Sequence, residues 1–363
     1  MTVKKYNHKQ INKIVQYILK SNGLSEEDVR TVSNSLIAAD LRGVNSHGIL
    51  RLPIYVKRIK NGKIKFNPEI RHIKETNATL VLDGDHGLGQ VVSQKAVNEL
   101  IEKASNSNIA AVTVRNSNHY GAAAYWSSQL ANENMIGLSV SNVEPLMPPP
   151  GGAAARVGNN PISFTIPAGE KPPIVLDMAT SVVPLGKILN AQSKNESIPE
   201  GWAVNSNGNP TTDPNEVVNG GSLFPVGGPK GYGLSIVIDV LSALLSNGAV
   251  GEEIHSMYQE IDKHNNISHF FLGIKIEAFM EIAKFKTLVD QYIDYIKLTP
   301  LAQNTKEIYL PGEIEHLNYL SNQERGITVP DNLIAELIDL AKEFGLEQSL
   351  IEEYTKPQDE LVK

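Results

Sequence analysis

The sequence predicts an α/β protein in which helices from both chain ends form one unit and an alternating strand–helix block between them forms another. Apolar residues recur at helical spacing near both ends. From about residue 78 the pattern changes to short β-branched runs that alternate with helical stretches, which argues for layered α/β architecture. At 363 residues the chain exceeds one ordinary core and suits two or three domains. The division it predicts is 1–75 with 300–363 for the helical domain and 76–299 for the α/β domain.

Taken in order, Ile11, Ile14, Val15, Ile18 and Leu19 follow i, i+3, i+4, i+7, i+8 spacing and make one apolar helix face. Gly23 stands where a helix C′ residue belongs, and Ser25 with Asp28 marks a new N-terminus. Val29, Val32, Leu36 and Ile37 carry the period toward Asp40, and no strand is expected in the first sixty residues. TLVLDG (79–84) then reads as a strand, followed by an amphipathic helix around 91–103 and a buried strand IAAVTV (109–114). Further strands are expected at 136–142, 161–167 and 172–178, with turn chemistry at 148–152 and 224–233. The apolar stretch 234–245 contains Asp239 and falls short of the roughly 20 residues of a membrane span, so it reads as a buried helix. Residues 281–310 give no clear pattern. After Pro330, Leu333, Ile334, Leu337, Ile338, Ala341 and Phe344 return to helical spacing.

Composition narrows the function. Lys+Arg 33 against Asp+Glu 40 gives a net charge of −7, which argues against nucleic-acid and anionic-membrane partners. With no cysteine, disulfides, thiol catalysis, Cys-ligated zinc and iron–sulfur clusters are excluded. MTVKKYNHKQ lacks the apolar core of a signal peptide, so a soluble, cytoplasmic protein is expected.

GDHGLG (84–89) follows a strand and precedes a helix, as a dinucleotide fingerprint does. Its spacing is G-x-x-G-x-G instead of G-x-G-x-x-G, and Val114 and Arg115 stand where the acidic ribose partner belongs. A glycine turn from strand to helix is the better reading. None of the nine histidines forms H-E-x-x-H, and no metal site is expected.

Two segments suit catalysis. In ADLRGVNSHGILR (39–51), Ser46 could cap a helix that places His47 and Arg51 on one face, where they would make a carboxylate receptor. An ordinary capped helix with solvated polar groups fits equally, and Pro53 argues against a continuous helix. In NSNHYGAAAYW (116–126), His119 lies just beyond a strand C-terminus, where α/β proteins bind ligands. It could serve as a base near neutral pH or as a capping histidine. Gly-, Thr- and Asn-rich loops at 151–161, 177–187, 198–214 and 227–234 suit phosphates, and Lys230 adds a cation among glycines.

With these motifs in family order, ADLRGVNSHGILR, NHYG, GNNP, LDMATS with GK, IPEGWA, PTTDP and GGPKGYGL, the chain resembles the malate/L-lactate/L-sulfolactate/ureidoglycolate dehydrogenase family from about residue 10 to 340. The resemblance implies a homodimer with a three-layer, non-Rossmann NAD-binding domain on a mixed sheet and a helical domain from both chain ends. It implies His119 as catalytic base, Ser46, His47 and Arg51 as substrate residues, and Asp177, Met178, Ala179 and Lys230 as cofactor residues. Val143 stands where a serine contacts the cofactor in the family, so that contact would use backbone or be lost, and Asn159 replaces the threonine of G-T-N-P. Pro229 before Lys230, SMY (256–258) and SIPEGWAV are most similar to the ureidoglycolate branch. That implies NAD-dependent oxidation of ureidoglycolate to oxalurate in allantoin and purine degradation, with NAD favoured over NADP. The alternatives are malate, L-lactate or L-sulfolactate oxidation, NADPH-dependent cyclic imino-acid reduction, a non-catalytic binding protein, or a metal-dependent hydrolase.

Overall fold

The computed structural model describes residues 3–358. Strand β1 (Val3–Tyr6) leads into α1 (His8–Ser21) and α2 (Glu26–Leu41). The apolar face of α1 is buried as its spacing predicts, Gly23 takes a φ of +91°, and Ser25 caps α2 by accepting the Asp28 N–H. The first sixty residues nevertheless contain a strand. Four residues of little apolar character, VKKY, pair antiparallel with a late segment, β12 (Ile327–Pro330), and the pairing comes from that partner instead of any local pattern.

Next come α3 (Leu52–Lys60), β2 (Arg71–Glu75), β3 (Thr79–Asp83), α4 (Gly89–Ser107), β4 (Ile109–Ser117), α5 (Ala123–Asn132), β5 (Met135–Ser141), β6 (Ile162–Ile166) and β7 (Ile174–Met178). A smaller region follows, with α6 (Leu185–Lys194), β8 (Ala203–Val204), β9 (Pro210–Thr211), α7 (Pro214–Val218) and β10 (Ser222–Leu223). The chain then runs through α8 (Pro229–Ser242), β11 (Ile267–Lys275), α9 (Ile282–Lys297), α10 (Glu313–Arg325), β12, α11 (Asp331–Glu343) and α12 (Gln348–Tyr354).

Seven strands form one mixed sheet in the order β2-β3-β4-β11-β5-β6-β7, parallel only between β3 and β4. One face is covered by α4 and α5, through Val92, Val97, Leu100, Trp126 and Leu130 against Leu82, Val112 and Phe271. The other is covered by α8, through Ile238 against Leu138, Val140 and Phe270. The result is a three-layer α/β/α arrangement on a mixed sheet, as expected. A separate core joins α1, α2 and α3 to β12, α11 and α12, so both chain ends meet in one helical cluster.

The structure differs from the sequence expectations at two further places. The central strand β11 had no forecast: Phe270 and Phe271 point to opposite covered faces, and Ser268 and His269 are buried beside them, so no apolar–polar alternation marks it. The stretch 234–245 is not a wholly buried helix. Ile238 is buried, but Ile236, Val237, Val240, Leu244 and Leu245 are exposed, because only one face of α8 meets the sheet.

Candidate active site

β4 ends at Ser117 and delivers His119 to a loop before α5. Asn118 pins that loop by donating to the carbonyls of His86 (3.0 Å) and Gly87 (2.8 Å). The GDHGLG segment is thus a structural turn, with Asp85 and His86 in left-handed conformations. Its last glycine allows a close approach: a Cβ on Gly89 would lie 2.2 Å from the Asn118 carbonyl oxygen and 2.4 Å from that of His119.

The 39–51 segment differs from its expected helix. Ser46 caps nothing; it lies in a short 3₁₀ turn, Asn45–His47, separated by Gly48 from a second, Ile49–Arg51. Pro53 enters α3 in its first turn, the one place in a helix where its missing N–H costs nothing. The three side chains still gather. Arg51 Nε donates to the Ser46 carbonyl at 2.6 Å, and Ser46 Oγ lies 2.9 Å from His47 Nδ1.

His47 stacks on His119 with ring centroids 5.4 Å apart, and Tyr55 Oη is 2.6 Å from His119 Nδ1. Tyr55 is buried and also receives the Gln90 amide N–H at 3.1 Å. Arg51 donates to the Tyr258 hydroxyl and lies over its ring. Burial, then the Arg51 charge, lowers His47 to about 4. The same causes, with His47 and His269 adding to them, hold His119 well below its ordinary value. Both imidazoles are therefore neutral at pH 7, which is the state a proton acceptor needs. Glu144 is raised by burial, bonds Ser256 and feels the Arg51 charge.

Asp177 and Met178 are the last two residues of β7, and Ala179 follows it. Asp177 retains exposed surface yet is closely surrounded by protein, and that desolvation pushes its carboxyl up to about 6. Its Oδ2 accepts the Ala124 N–H at 3.1 Å, so it caps α5 just beyond the His119 loop. Lys230 is exposed in the first turn of α8. Its loop is tied to the β7 end where Val226 N donates to the Thr180 carbonyl at 2.9 Å. Val143 offers no backbone donor, because its N–H already goes to Asn160 Oδ1 at 2.9 Å. The site residues thus fall into two groups, one around His119 and one around Lys230, bridged by Asp177 and α5.

The second group fits a dinucleotide. Lys230 is a cation at a helix N-terminus, and a Cβ on Gly228 would meet nothing within 4 Å, so the backbone there is open to approach. A cavity of about 360 Å³ lined by Pro149, Gly152, Asn207, Phe224, Gly228 and Pro229 adjoins it. Among the described residues no three His, Asp or Glu side chains converge to hold a metal ion. Tyr55, Gln90, Glu144 and Tyr258 escaped the sequence reading as site residues. Tyr55 sits in an apolar helix and looks like core, and the Ser256–Tyr258 stretch drew notice only as a point of likeness.

A family model described as malate/L-lactate dehydrogenase matches residues 6–338. The malate dehydrogenase of Pyrococcus horikoshii is 42% identical over 91% of this chain and 92% of its own length. The L-sulfolactate dehydrogenase of Methanocaldococcus jannaschii is 40% identical over 98% and 99%. The solved structure of the sulfolactate dehydrogenase from that organism superposes with a TM-score of 0.90 at 39% identity, covering 98% of this chain and 100% of that one. The ureidoglycolate dehydrogenase (NAD(+)) of Escherichia coli K12 is 33% identical over 92% and 95%.

Proposed function

The chain belongs to the malate/L-lactate dehydrogenase family, and we propose that it oxidises a 2-hydroxy carboxylate with NAD, using His119 as the base. The observation that carries this reading is His119 held at Nδ1 by Tyr55 and stacked on His47, with burial and the Arg51 charge favouring its neutral form. Arg51 is anchored through Nε to the Ser46 carbonyl and through one Nη1 N–H to the Tyr258 hydroxyl, which leaves Nη2 and the second Nη1 N–H to grip a carboxylate as a fork. A substrate held there presents its hydroxyl to His119 Nε2, which takes the proton. NAD, when bound by the Asp177–Ala179 and Lys230 group, supplies the hydride acceptor. Val143 would then touch cofactor through its carbonyl or side chain.

For the substrate we propose ureidoglycolate. Arg51 is the cation whose charge reaches His119, Tyr55 and Glu144, and it anchors one carboxylate. Glu144, bonded to Ser256 beside Arg51, suits a substituent that donates hydrogen bonds and disfavours a second anion. A second reading, malate or sulfolactate, is favoured by the higher identity to those relatives, 42% and 40% against 33%. Steady-state kinetics with ureidoglycolate, malate, lactate and sulfolactate, each with NAD and NADP, separates them. The largest kcat/KM for ureidoglycolate with NAD supports the first reading; a larger value for a dianion replaces it with the second. We propose further that the enzyme works as a cytoplasmic homodimer, for which the exposed apolar face of α8 supplies a surface.

A further inference from the structure

We infer that Gln90 is a positioning residue for His119: acting through the Tyr55 hydroxyl, its side-chain amide decides which ring nitrogen of His119 carries the proton. The inference rests on the reading of His119 as the base and deepens it.

Gln90 is fully buried in the first turn of α4, with Nε2 3.1 Å from Tyr55 Oη, which is itself 2.6 Å from His119 Nδ1. A phenol has one proton to give, so it cannot donate to both neighbours. When the Gln90 N–H faces Tyr55, the phenol proton goes to Nδ1, and the neutral ring keeps its own proton on Nε2. In that arrangement Gln90 Oε1 is buried with no hydrogen-bond partner among the described residues. Half a turn of the amide brings Oε1 to the phenol instead. Tyr55 then donates to Gln90, Nδ1–H donates to Tyr55, and Nε2 is left bare. This second arrangement gives the stranded carbonyl oxygen a donor in exchange for the amide N–H's own acceptor, and what favours it is the free nitrogen it supplies for oxidation of a hydroxyl.

Other groups around the ring do not settle the choice. The Gly121 N–H, 3.4 Å from Nδ1, favours an unprotonated Nδ1 and is opposed by the relay. His47 stacks on the ring, and Arg51, His47 and His269 resist a net positive charge without selecting a nitrogen. During turnover the hydroxyl proton moves to Nε2 while Nδ1–H stays bonded to Tyr55, so the relay loses no proton.

The same geometry explains the GDHGLG segment. Gly89 has no room for a side chain against the Asn118 and His119 carbonyls, which lets α4 begin directly beneath the His119 loop. Gln90, the next residue, is thereby brought within reach of Tyr55. What resembles a dinucleotide fingerprint is a device for placing one amide.

The test is a long-range ¹H–¹⁵N spectrum of the full-length protein labelled at histidine, at pH 8, with His119 assigned by its loss in His119→Gln. The expected wild-type form carries the proton on Nδ1. Gln90→Met and Tyr55→Phe shift it to Nε2, whereas Gln90→Glu, which keeps an acceptor oxygen, retains Nδ1–H. Gln90→Met also lowers kcat by about 10- to 100-fold, with substrate KM within about threefold. A wild-type ring protonated on Nε2, or a Gln90→Met ring that stays Nδ1–H, overturns the inference. Because the wild-type spectrum needs neither turnover nor a variant, it judges the relay even if no 2-hydroxy acid is oxidised, an outcome that would instead count against His119 as the base.

Discussion

A Cβ on Gly48 would lie 2.0 Å from Oδ1 of Asp40, so the buried carboxyl of α2 occupies the space a side chain would take in the turn that carries His47 and Arg51. Asp40 Oδ2 also accepts the Ile49 N–H at 2.8 Å, fastening the second 3₁₀ turn to α2. Gly48→Ala must therefore displace the carboxyl or the turn. The expected cost is about 2–4 kcal/mol in urea unfolding, together with a fall in kcat/KM as Arg51 shifts. Unchanged kinetics in this variant would show that the turn does not position Arg51.

Burial raises Asp40 to about 8 from an ordinary value of 3.8, with only the Ile49 N–H opposing the rise. Between those pH values the folded protein binds a proton that the unfolded chain has lost, so stability falls as pH rises from about 4 to about 8. Asp40→Asn removes this dependence and is expected to flatten that part of the curve. Urea midpoints at pH 5 and pH 8 for both proteins check the sign; a wild type that gains stability over that interval with a slope unaffected by Asp40→Asn contradicts it.

His119 needs to be neutral to accept a proton, and burial with the Arg51 charge keeps it so far below pH 6.5. The acid limb of kcat/KM for alcohol oxidation is accordingly expected well below the ordinary histidine midpoint of 6.5. His119→Ala is expected to lower turnover about 10²- to 10⁴-fold without unfolding the protein. A folded variant with near-normal turnover would remove His119 from the mechanism.

How much of this could be read from the chain depends on where each pattern comes from. The α1 face and the Ser25 cap are local signals, and both formed as spaced. β1 exists because β12 pairs with it more than three hundred residues later, and β11 is covered on both faces, so neither displays a local period. His119 and Arg51 stood out as polar groups in glycine-rich motifs. Tyr55 and Gln90 did not, because a buried tyrosine on an apolar helix and a glutamine after a glycine turn look like scaffold until the sheet and helices bring them together.

Arg51 makes distinct contacts that a lysine cannot reproduce: Nε to the Ser46 carbonyl and a terminal nitrogen to the Tyr258 hydroxyl. A single ammonium cannot hold the turn and fork a carboxylate at once. Arg51→Lys is expected to reduce kcat/KM for the hydroxy acid by about 10²-fold, corresponding to the loss of one charge-assisted bond. Tyr258→Phe, which leaves the guanidinium and the ring in place, is expected to change it by less than about tenfold. An Arg51→Lys enzyme with unaltered KM would place the carboxylate elsewhere.

The outward face of α8 presents Ile236, Val237 and Val240, and the turn after it presents Leu244 and Leu245, the last two 58% and 57% exposed. On a helix, positions 236, 237 and 240 share one side, opposite Ile238 in the sheet core, so the exposure follows from the geometry of the layer. Covering each such side chain is worth about 1.5–3 kcal/mol, and in the proposed homodimer a second copy does the covering. A charge placed there must lose its water at the interface without a partner. Val237→Glu and Leu245→Lys are therefore expected to weaken association by more than about 100-fold, because burying an unpaired charge costs several kcal/mol. In sedimentation equilibrium the wild type should show a dimer and the variants monomers with unchanged far-ultraviolet circular dichroism. A wild-type monomer would refute the dimer, and dimeric variants would move its interface away from α8.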